Sequence, residues 1–508
     1  MTRYANLGAA LSPAASPETV ALIDLSPAAP REVSYGELAA LSRAAARGFM
    51  RRGLCRGDAV AVIAANRLEF LVAIFGALQA GITAVPVNHK LPAATIASLI
   101  GDADVRLLLG DRQRLAMCPA TMPRIDFDDA GPEGFQAFLD PGDFEPLPPD
   151  EGDVAMVIYT SGSSGRPKGV MFSHLGHLWA LDQRTNASSP RGQRTLVAAP
   201  LYHQNGLASC QAALASGGAV VLLPGFTAAS YIDAASTHRA TMLTAVPTMI
   251  ALVAREQAAL VRADLSAVRI VRVSSAPSTP ELMAEARRIF PNAVIVNGFG
   301  TTEGGPVCFG PHPRGLVQPD MSVGCAHPEV SLRLMRDGRE SDDKGGGEGV
   351  LQIRSPALML GYRGLPEQSR RAITADGYYD TGDIFRRDAD GFFYFVSRAD
   401  DMFVCGGENI FPGEVEAVLL GHPAVHEAAV LPIADAIKGH KPAAFVVLKP
   451  DMQATEPQLR QHALDHAPPY QHPRRVWFLP EMPLAGTNKV DRRRLAELAA
   501  TLLGNDSF

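Results

Sequence analysis

The sequence predicts an α/β protein with a large N-terminal domain of doubly wound, mostly parallel sheets, a small β subdomain and a small α+β C-terminal domain joined by a hinge. Three observations predict this architecture. A chain of 508 residues is too long for a single hydrophobic core. Short apolar runs alternate with segments of helical period, and that texture changes after about residue 310.

The N-terminal segments follow a strand–helix alternation. Ser34 and Glu37 have the spacing of a capping box, and apolar residues then recur at helical spacing, which predicts a helix over 35–52. The next predicted elements are a strand over 59–63, a helix over 69–80, a strand over 84–87, a helix from 92 and a strand over 105–109. Further strands are predicted over 195–199, 219–223, 241–245, 270–274 and 293–297.

The later part of the chain has short alternating runs split by turn residues. Between 324 and 354 this pattern predicts the hairpins of a small β subdomain, and another strand is predicted over 392–396. Roughly the last hundred residues are predicted to form a separate α+β domain.

Composition narrows the class of protein. A net charge of −6 gives no sign of a nucleic-acid-binding surface. Six scattered cysteines without a Cys-x-x-Cys pair indicate neither a zinc site nor a disulfide framework, which suits a reducing compartment. The N-terminus lacks the pattern of a signal peptide and no apolar run is long enough to span a bilayer, so we expect a cytoplasmic protein. The composition allows an oligomer.

Residues 159–169 read YTSGSSGRPKG and follow a short apolar run. A strand that breaks into glycines, hydroxyls and a lysine is typical of a loop that wraps an anion, because bare N–H groups and hydroxyls approach phosphate oxygens closely. Lys168 lies between Pro167 and Gly169, so the pattern is not a Walker A loop, in which Gly-Lys-Ser/Thr opens a helix. An ordinary surface loop is the alternative from composition alone.

This loop closely resembles the phosphate loop of the adenylate-forming superfamily, which includes acyl- and aryl-CoA ligases, luciferases and the adenylation domains of peptide synthetases. Four later segments also resemble the family's segments, in the same order along the chain. The resemblance implies ATP contacts in the loop from Thr160, Ser161, Gly162, Ser163, Ser164, Gly165 and Lys168.

Residues 297–305, NGFGTTEGG, follow a predicted strand. A carboxylate beside two threonines is a hard-oxygen site suited to Mg²⁺, and a structural turn is the alternative. The segment resembles the family's Tyr-Gly-x-Thr-Glu element, which implies that Glu303, with Thr160, holds the Mg²⁺ that bridges ATP. The implied ATP contacts of this segment are Gly298, Phe299, Gly300, Thr301, Thr302 and Glu303.

Residues 379–383 resemble the family's Thr-Gly-Asp motif. The resemblance implies that Asp383 accepts hydrogen bonds from both ribose hydroxyls, for which an ionised carboxylate is well suited, and that Arg398 also reaches the ribose. Residues 483–492 resemble the segment that carries the catalytic lysine, here Lys489, with Asn488 in place of the usual glycine.

Residues 405–416 resemble the family's C-terminal signature. The resemblance implies that Asp400 is a hinge between an AMP-binding domain over 1–399 and a mobile domain over 400–508. It also implies that Gly406 and Gly407 let the pantetheine arm of coenzyme A run along bare backbone.

The acid-binding pocket is predicted from residues 200–206, which resemble the family's aromatic/histidine element. The implied pocket residues are His203, Asn205, Val246, Gly300 and Gly305, and Ser275, Ala276 and Pro277 are expected to touch adenine. His203 is also a candidate catalytic residue, with a structural histidine as the alternative. These segments contain no charged residue that would pair with a second charge, which favours a neutral aryl or short-to-medium aliphatic acid.

The resemblance implies an ATP-dependent acid–CoA ligase, with ATP and coenzyme A as co-substrates and Mg²⁺ as cofactor. Lys489, Lys168, Glu303 and His203 are its implied catalytic residues. Two other function classes stay open at this point: a stand-alone adenylation enzyme that loads a carrier protein, and a non-enzymatic sensor or binding protein.

Overall fold

The computed structural model describes residues 3–160, 167–186, 192–341, 346–399, 401–405, 408–435, 439–467, 469, 471–485 and 489–505. It divides into two compact units. The first comprises Met1–Leu332 and Ile353–Asp380, and the second comprises Arg333–Gln352 and Thr381–Phe508. The predicted hinge residue, Asp400, lies outside the described residues, so the predicted boundary between 399 and 400 stays a prediction. Within the described ranges, no helix is both long and apolar enough to cross a bilayer.

The helices follow a short 3-10 turn over Leu7–Ala9. They are α1 (Tyr35–Arg51), α2 (Leu68–Gln79), α3 (Ala93–Asp102), α4 (Arg112–Leu115), α5 (Phe135–Phe138), α6 (His174–Asn186), α7 (Gln204–Ala215), α8 (Ala228–Thr237), α9 (Pro247–Arg255), α10 (Gln257–Arg262), α11 (Pro280–Ile289), α12 (Pro366–Ala372), α13 (Pro412–Leu420), α14 (Glu456–His466) and α15 (Arg492–Asn505).

The strands include every strand that the sequence predicts, with ends that differ by at most two residues. They are β1 (Val20–Asp24), β2 (Arg31–Ser34), β3 (Ala59–Ile63), β4 (Thr83–Pro86), β5 (Val105–Gly110), β6 (Arg124–Asp126), β7 (Val154–Thr160), β8 (Lys168–Ser173), β9 (Arg194–Val197), β10 (Ala219–Leu222), β11 (Met242–Ala245), β12 (Ile270–Ser274), β13 (Val294–Gly298), β14 (Phe309–Gly310), β15 (Ser322–Ala326), β16 (Ser331–Arg336), β17 (Arg339–Glu340), β18 (Gly347–Arg354), β19 (Gly361–Tyr362), β20 (Tyr379–Arg387), β21 (Phe393–Arg398), β22 (Phe403–Cys405), β23 (Glu408–Ile410), β24 (Val425–Asp435), β25 (Gly439–Leu448) and β26 (Arg475–Phe478).

The first unit contains two large sheets, which confirms the predicted doubly wound, mostly parallel architecture. One has the strand order β13-β12-β11-β9-β10-β1-β2 and is parallel except for β2, which runs antiparallel to β1. The other has the order β19-β8-β7-β4-β3-β5-β6, in which β8 runs antiparallel to both of its neighbours.

The central strands of both sheets, such as β3, β4 and β10, are buried on both faces, as strands joined by helical crossovers require. In β3, Val60 and Val62 face a central core that also contains Leu22 of β1, while Ala61 faces an outer layer with Ile96 of α3. The central core therefore joins the two sheets of the first unit, and α1, α2 and α7 contribute to it.

Helix α1 begins where the sequence predicts, but only half of the capping box forms. The Ser34 hydroxyl accepts a hydrogen bond from the Glu37 amide at 3.1 Å. The Glu37 carboxylate instead accepts from the Arg31 guanidinium at 2.8 Å. An exposed ion pair has thus replaced the reciprocal bond of the motif.

The second unit contains the strand order β21-β20-β18-β16-β17 and a smaller sheet of order β23-β22-β25-β24, with β26 beside β25. The smaller sheet has helices on both faces. Val446 packs with Leu419 of α13 and Leu459 of α14, whereas Phe445 packs on the opposite face with Leu495 of α15. This arrangement confirms the predicted hairpins and the small α+β domain.

Candidate active site

The predicted phosphate loop joins two antiparallel strands of the first unit. β7 ends at Thr160 and β8 begins at Lys168, and these two residues are direct cross-strand partners. The loop is followed by a strand and not by a helix, which agrees with the interpretation that it is not a Walker A loop. Ser161, Gly162, Ser163, Ser164 and Gly165 lie outside the described residues.

The other edge of β8 pairs with β19, and this pairing brings Tyr362 to the start of β8. Tyr362 lies opposite Val170, and the Gly169 carbonyl accepts a hydrogen bond from the Arg363 amide at 2.8 Å. The Lys168 Nζ atom lies 5.0 Å from the centroid of the Tyr362 ring, within the range of a cation–π contact.

Glu303 is held by the same tyrosine. The Tyr362 hydroxyl donates a hydrogen bond to Oε1 of Glu303 at 3.0 Å, and the Glu303 carbonyl accepts from the Met359 amide at 2.9 Å. Burial raises the pKa of Tyr362, and the charge and hydrogen bond of Glu303 raise it further, so the phenol stays protonated and donates. Lys168, Tyr362 and Glu303 thus form a connected cluster, the Lys168–Tyr362–Glu303 cluster, whose middle member the sequence analysis did not predict.

The segment before Glu303 is also a structural turn. The Thr301 hydroxyl accepts from the Gly304 amide at 2.8 Å, and the Thr301 carbonyl accepts from the Gly305 amide at 3.1 Å. Gly305 has φ +90°, and a Cβ there would lie 2.8 Å from the Ala357 Cβ. The segment is therefore a structural turn that also carries the Glu303 carboxylate, so the two interpretations of this segment do not exclude each other. Of the other predicted ATP contacts, Gly298 ends β13, Phe299 and Gly300 lead into this turn, and Thr302 lies within it.

The cluster fits a Mg²⁺ that arrives with ATP. Mg²⁺ is usually held by one or two carboxylates together with phosphates and waters. Glu303 offers one carboxylate oriented by a phenol. In the described part of the chain, no group of three or more His, Cys, Asp or Glu side chains could hold a metal by itself. Thr160, the other predicted ligand, ends β7.

Residues predicted to line the acid pocket or to contact ATP follow the carboxyl ends of neighbouring parallel strands. Val246 follows β11, Ser275 follows β12, Gly298 ends β13, and His203 follows β9 as the residue before α7. Ligands of open α/β sheets bind at this edge because the strand ends leave a crevice there. Ala276 and Pro277 continue the loop after β12.

One hydrogen bond links two of these strand ends. The Asn205 amide donates to the Ser275 hydroxyl at 3.3 Å. Ser275 has φ +71°, which is unusual for a residue other than glycine and is common at functional sites. The His203 ring packs against Tyr202, with 4.6 Å between ring centroids.

Two arginines lie beside this edge and were not predicted. Val271 and Val273 of β12 pack in a hydrophobic cluster with residues of α8, α9 and α11, so Arg272 points to the opposite face of the strand. The Arg272 Cγ atom lies 3.7 Å from where a Cβ on Gly298 would be. Arg184 of α6 donates to the Ala208 carbonyl of α7 at 3.0 Å. The prediction of a neutral acid rested on pocket segments without charge, and Arg272 lies just before one of them.

In the second unit, Asp383 and Arg398 lie opposite each other on β20 and β21. Arg398 Nη1 lies 2.9 Å from Oδ1 of Asp383, and the same nitrogen donates to the Thr381 carbonyl at 3.2 Å. The Asp383 side chain is 6% exposed and that of Arg398 is 41% exposed, so the carboxylate is fixed while the guanidinium keeps an open side. The structure thus brings together the two residues predicted to bind ribose.

The Lys489 amine lies close enough to Asp383 and Arg398 for the charges of both residues to shift its pKa. Loss of solvent and the positive charge of Arg398 lower the pKa of Lys489, and the Asp383 carboxylate opposes that shift. The residue as a whole is exposed, so it is the amine at its end that has lost water. Its carbonyl accepts from the Ala485 amide at 2.7 Å, which fixes the end of the segment that carries it.

The predicted coenzyme A contacts and the predicted hinge cannot be placed. Cys405 of β22 pairs with Glu408 of β23, while Gly406 and Gly407 lie outside the described residues, as does Asp400.

Two family descriptions match the chain. The description "AMP-binding enzyme" matches residues 10–363, and "AMP-binding enzyme C-terminal domain" matches residues 414–489. The chain belongs to the AMP-binding enzyme family. The predicted membership of the adenylate-forming superfamily is confirmed.

Relatives and solved structures in this family match nearly the whole chain. Sulfoacetate–CoA ligase of Cupriavidus necator is 32% identical over 93% of both chains. Feruloyl-CoA synthase of an Amycolatopsis species is 30% identical over 90% of this chain and 92% of its own. The crystal structure of an anthranilate CoA ligase in complex with anthranoyl-AMP is similar with a TM-score of 0.88, 25% identity and 99% of each chain covered. An O-succinylbenzoate coenzyme A synthetase from Bacillus subtilis, in complex with AMP, has a TM-score of 0.80, with 26% identity over 94% of this chain and 96% of its own.

Proposed function

We propose that this chain is an AMP-forming acid–CoA ligase that acts through the site residues described above. A carboxylate oxygen of the acid attacks the α-phosphorus of ATP, and pyrophosphate leaves with the electrons of the broken bond. The thiolate of coenzyme A then attacks the carbonyl of the acyl-adenylate, and AMP leaves. Family membership supports this class, as do the relatives named CoA ligases that match along nine-tenths of the chain. ATP and coenzyme A are the co-substrates of such enzymes, and Mg²⁺ is typical of the family.

The observation that carries the assignment of roles is the position of Lys489 beside the Asp383–Arg398 pair. Asp383 is the proposed ribose acceptor, so an amine near it is placed beside the α-phosphate side of the nucleotide. Its positive charge would neutralise the attacking carboxylate and the α-phosphate together, and adenylation requires chiefly this alignment and charge compensation.

The Lys168–Tyr362–Glu303 cluster is proposed to serve the β- and γ-phosphates. Lys168 brings a positive charge to the end of the phosphate loop, and Glu303 would hold the Mg²⁺, with Thr160 as the second predicted ligand. Bound Mg²⁺ would neutralise phosphate charge. Tyr362 orients the carboxylate by its hydrogen bond, so its role is one of positioning.

The second half-reaction is proposed to use a different orientation of the C-terminal residues. Rotation about Asp400 would withdraw Lys489 and bring Gly406 and Gly407 to the adenylate, a hinge-type motion. His203 is retained as the candidate neighbour of the reacting carboxylate, together with Asn205, Val246, Gly300 and Gly305 as pocket walls. The requirement for ATP and coenzyme A supports a cytoplasmic location as part of this proposal.

The carrier-protein alternative is not favoured, because the relatives are named CoA ligases. The names of these relatives do not identify a single acid as the substrate. Sulfoacetate and 2-succinylbenzoate carry a second anionic group, whereas the ferulate acid has a neutral aromatic end.

A panel of aryl and aliphatic acids, assayed for pyrophosphate release with and without coenzyme A, tests the proposed function. We expect acid-dependent pyrophosphate release with ATP and Mg²⁺, and thioester together with AMP when coenzyme A is added. Release that needs no acid, or no thioester with any acid that is adenylated, would contradict the proposal.

A further inference from the structure

Two arginines beside the proposed acid pocket have no function in the chemistry described so far. Arg272 lies within β12, two residues before the strand ends at Ser274, and its side chain is on the same face as that of Ser274. Arg184 reaches Ala208, one helical turn beyond Asn205 on α7. Both arginines therefore lie further from the carboxyl ends of the strands than the Asn205–Ser275 contact does.

The two guanidinium groups have no negative partner within the described chain. No acidic group influences the pKa of either arginine, and the printed contact of Arg184 is with a neutral carbonyl. Loss of solvent lowers the pKa of both, and the charge of Arg272 lowers that of Arg184 further, so the two cations are near each other. Like charges that are desolvated together are costly unless an anion compensates them.

Arg272 is also open to a ligand. Its side chain remains exposed, although its guanidinium has lost enough solvent to shift its pKa. The Arg272 guanidinium is thus both accessible and partly desolvated, and this planar group can bind a carboxylate or sulfonate through two parallel hydrogen bonds. The Arg272 Cγ atom lies 3.7 Å from where a Cβ on Gly298 would be, so the side chain is close to the end of β13, two residues before the predicted pocket residue Gly300.

We infer that Arg272, with Arg184 behind it, selects acids that carry a second anionic group, a carboxylate or a sulfonate, remote from the carboxylate that is activated. This inference rests on the proposed ligase function and deepens it. It replaces the neutral acid that the sequence favoured. Arg272 is a specificity-determining residue, whereas Arg184 strengthens the positive potential and links α6 to α7.

Matched acid pairs test the inference: succinate against monomethyl succinate, 3-sulfopropanoate against butanoate, and 4-sulfobenzoate against benzoate. We expect wild-type kcat/KM, from pyrophosphate release, to be at least about tenfold higher for the anionic member of one or more pairs, the scale of one charged hydrogen bond. The carboxylate and sulfonate arms distinguish the two anion types. R272Q should reduce that ratio to about one, and R272K should retain part of it.

Arg262 provides the control, because it is exposed on α10 and its removal changes the net charge of the protein equally. R262Q should keep the wild-type ratio. R184Q should lower the ratio less than R272Q does, and thermal unfolding of each variant establishes that it is folded. Isothermal titration of the preferred anionic acid without ATP gives a second readout, in which R272Q should weaken binding by about tenfold.

Equal kcat/KM within every pair for the wild type would overturn the inference while leaving the ligase function intact. So would an R272Q variant that slows both members of a pair alike or raises only the KM for ATP, since the arginine would then serve the nucleotide. Absence of acid-dependent pyrophosphate release across the whole panel would contradict the proposed function, and the inference with it.

Discussion

The Tyr362 hydroxyl donates a 3.0 Å hydrogen bond to Glu303 although 59 residues of sequence separate the two. The pairing of β19 with β8 brings them together, and it also sets the Tyr362 ring beneath the Lys168 ammonium. The carboxylate proposed to hold Mg²⁺ and the lysine proposed to hold phosphate are therefore oriented by one side chain.

The variant Tyr362→Phe should slow adenylation. The Glu303 carboxylate would lose a donor, at a cost of about 1–3 kcal/mol for a buried acceptor, and we expect kcat/KM for pyrophosphate release to fall by about tenfold. Tyr394→Phe is a matched control, because Tyr394 donates to Asp388 at 2.9 Å in the second unit. If both variants lose the same activity, the effect is one of general stability.

Replacing Glu303 by glutamine should change the Mg²⁺ requirement. A neutral amide binds Mg²⁺ far more weakly than a carboxylate does, so half-maximal pyrophosphate release should need more Mg²⁺, and extra Mg²⁺ should partly restore the rate. Glu329→Gln serves as the control, since Glu329 accepts a hydrogen bond from Trp179 in the same unit. An unchanged Mg²⁺ titration would remove Glu303 from the metal site.

The variant Lys489→Ala should separate the two half-reactions. We expect adenylation to be abolished, while thioester formation from supplied acyl-adenylate stays largely intact, because the amine is proposed to act in one orientation only. Lys449→Ala, which removes an exposed lysine of the same unit, should affect neither reaction. Equal loss in both half-reactions would contradict the two-orientation proposal.

The pH dependence of adenylation should report on Asp383. Because the pKa of Lys489 is lowered, the alkaline limb of kcat should lie below the usual lysine range. Asp383 raises that pKa, so Asp383→Asn should move the alkaline limb to still lower pH at saturating ATP. Asp388→Asn removes a carboxylate from the turn that joins β20 and β21 and should leave the limb in place. A shift to higher pH would mean that another group controls it.

The sequence predicted the fold well because hydrophobic period is a local property. The runs over 59–63 and 270–274 became β3 and β12 with the predicted ends. The resemblance to short motifs also identified Asp383, Arg398 and Lys489. The structure places all three in the second unit, whereas the predicted boundary between 399 and 400 had assigned Asp383 and Arg398 to the N-terminal domain. These are the features that a stretch of ten or fewer residues can encode.

Tyr362 and the two arginines could not be predicted in the same way. Tyr362 reaches Lys168 and Glu303 because it lies in a two-residue strand at the edge of a sheet, and such a strand is too short to show a hydrophobic period. Arg272 did leave a signal, since a charged residue between Val271 and Val273 points away from the hydrophobic side of β12. That its neighbour is a second arginine is a property of tertiary packing alone.

β8 is paired along both edges, since Met171 lies between Val157 of β7 and Gly361 of β19. An insertion after Met171 would slip the pairing on one side of the added residue and turn either the buried Val170 or the buried Phe172 toward the wrong face. We expect added length to be tolerated better between Thr160 and Lys168, the residues at which β7 ends and β8 begins. Thermal unfolding of variants with one glycine inserted after Pro167 or after Met171 would measure this contrast. Diversification of the proposed nucleotide site by insertion would thereby be confined to the loop that is proposed to bind the phosphates, while the tyrosine and the carboxylate keep a fixed spacing.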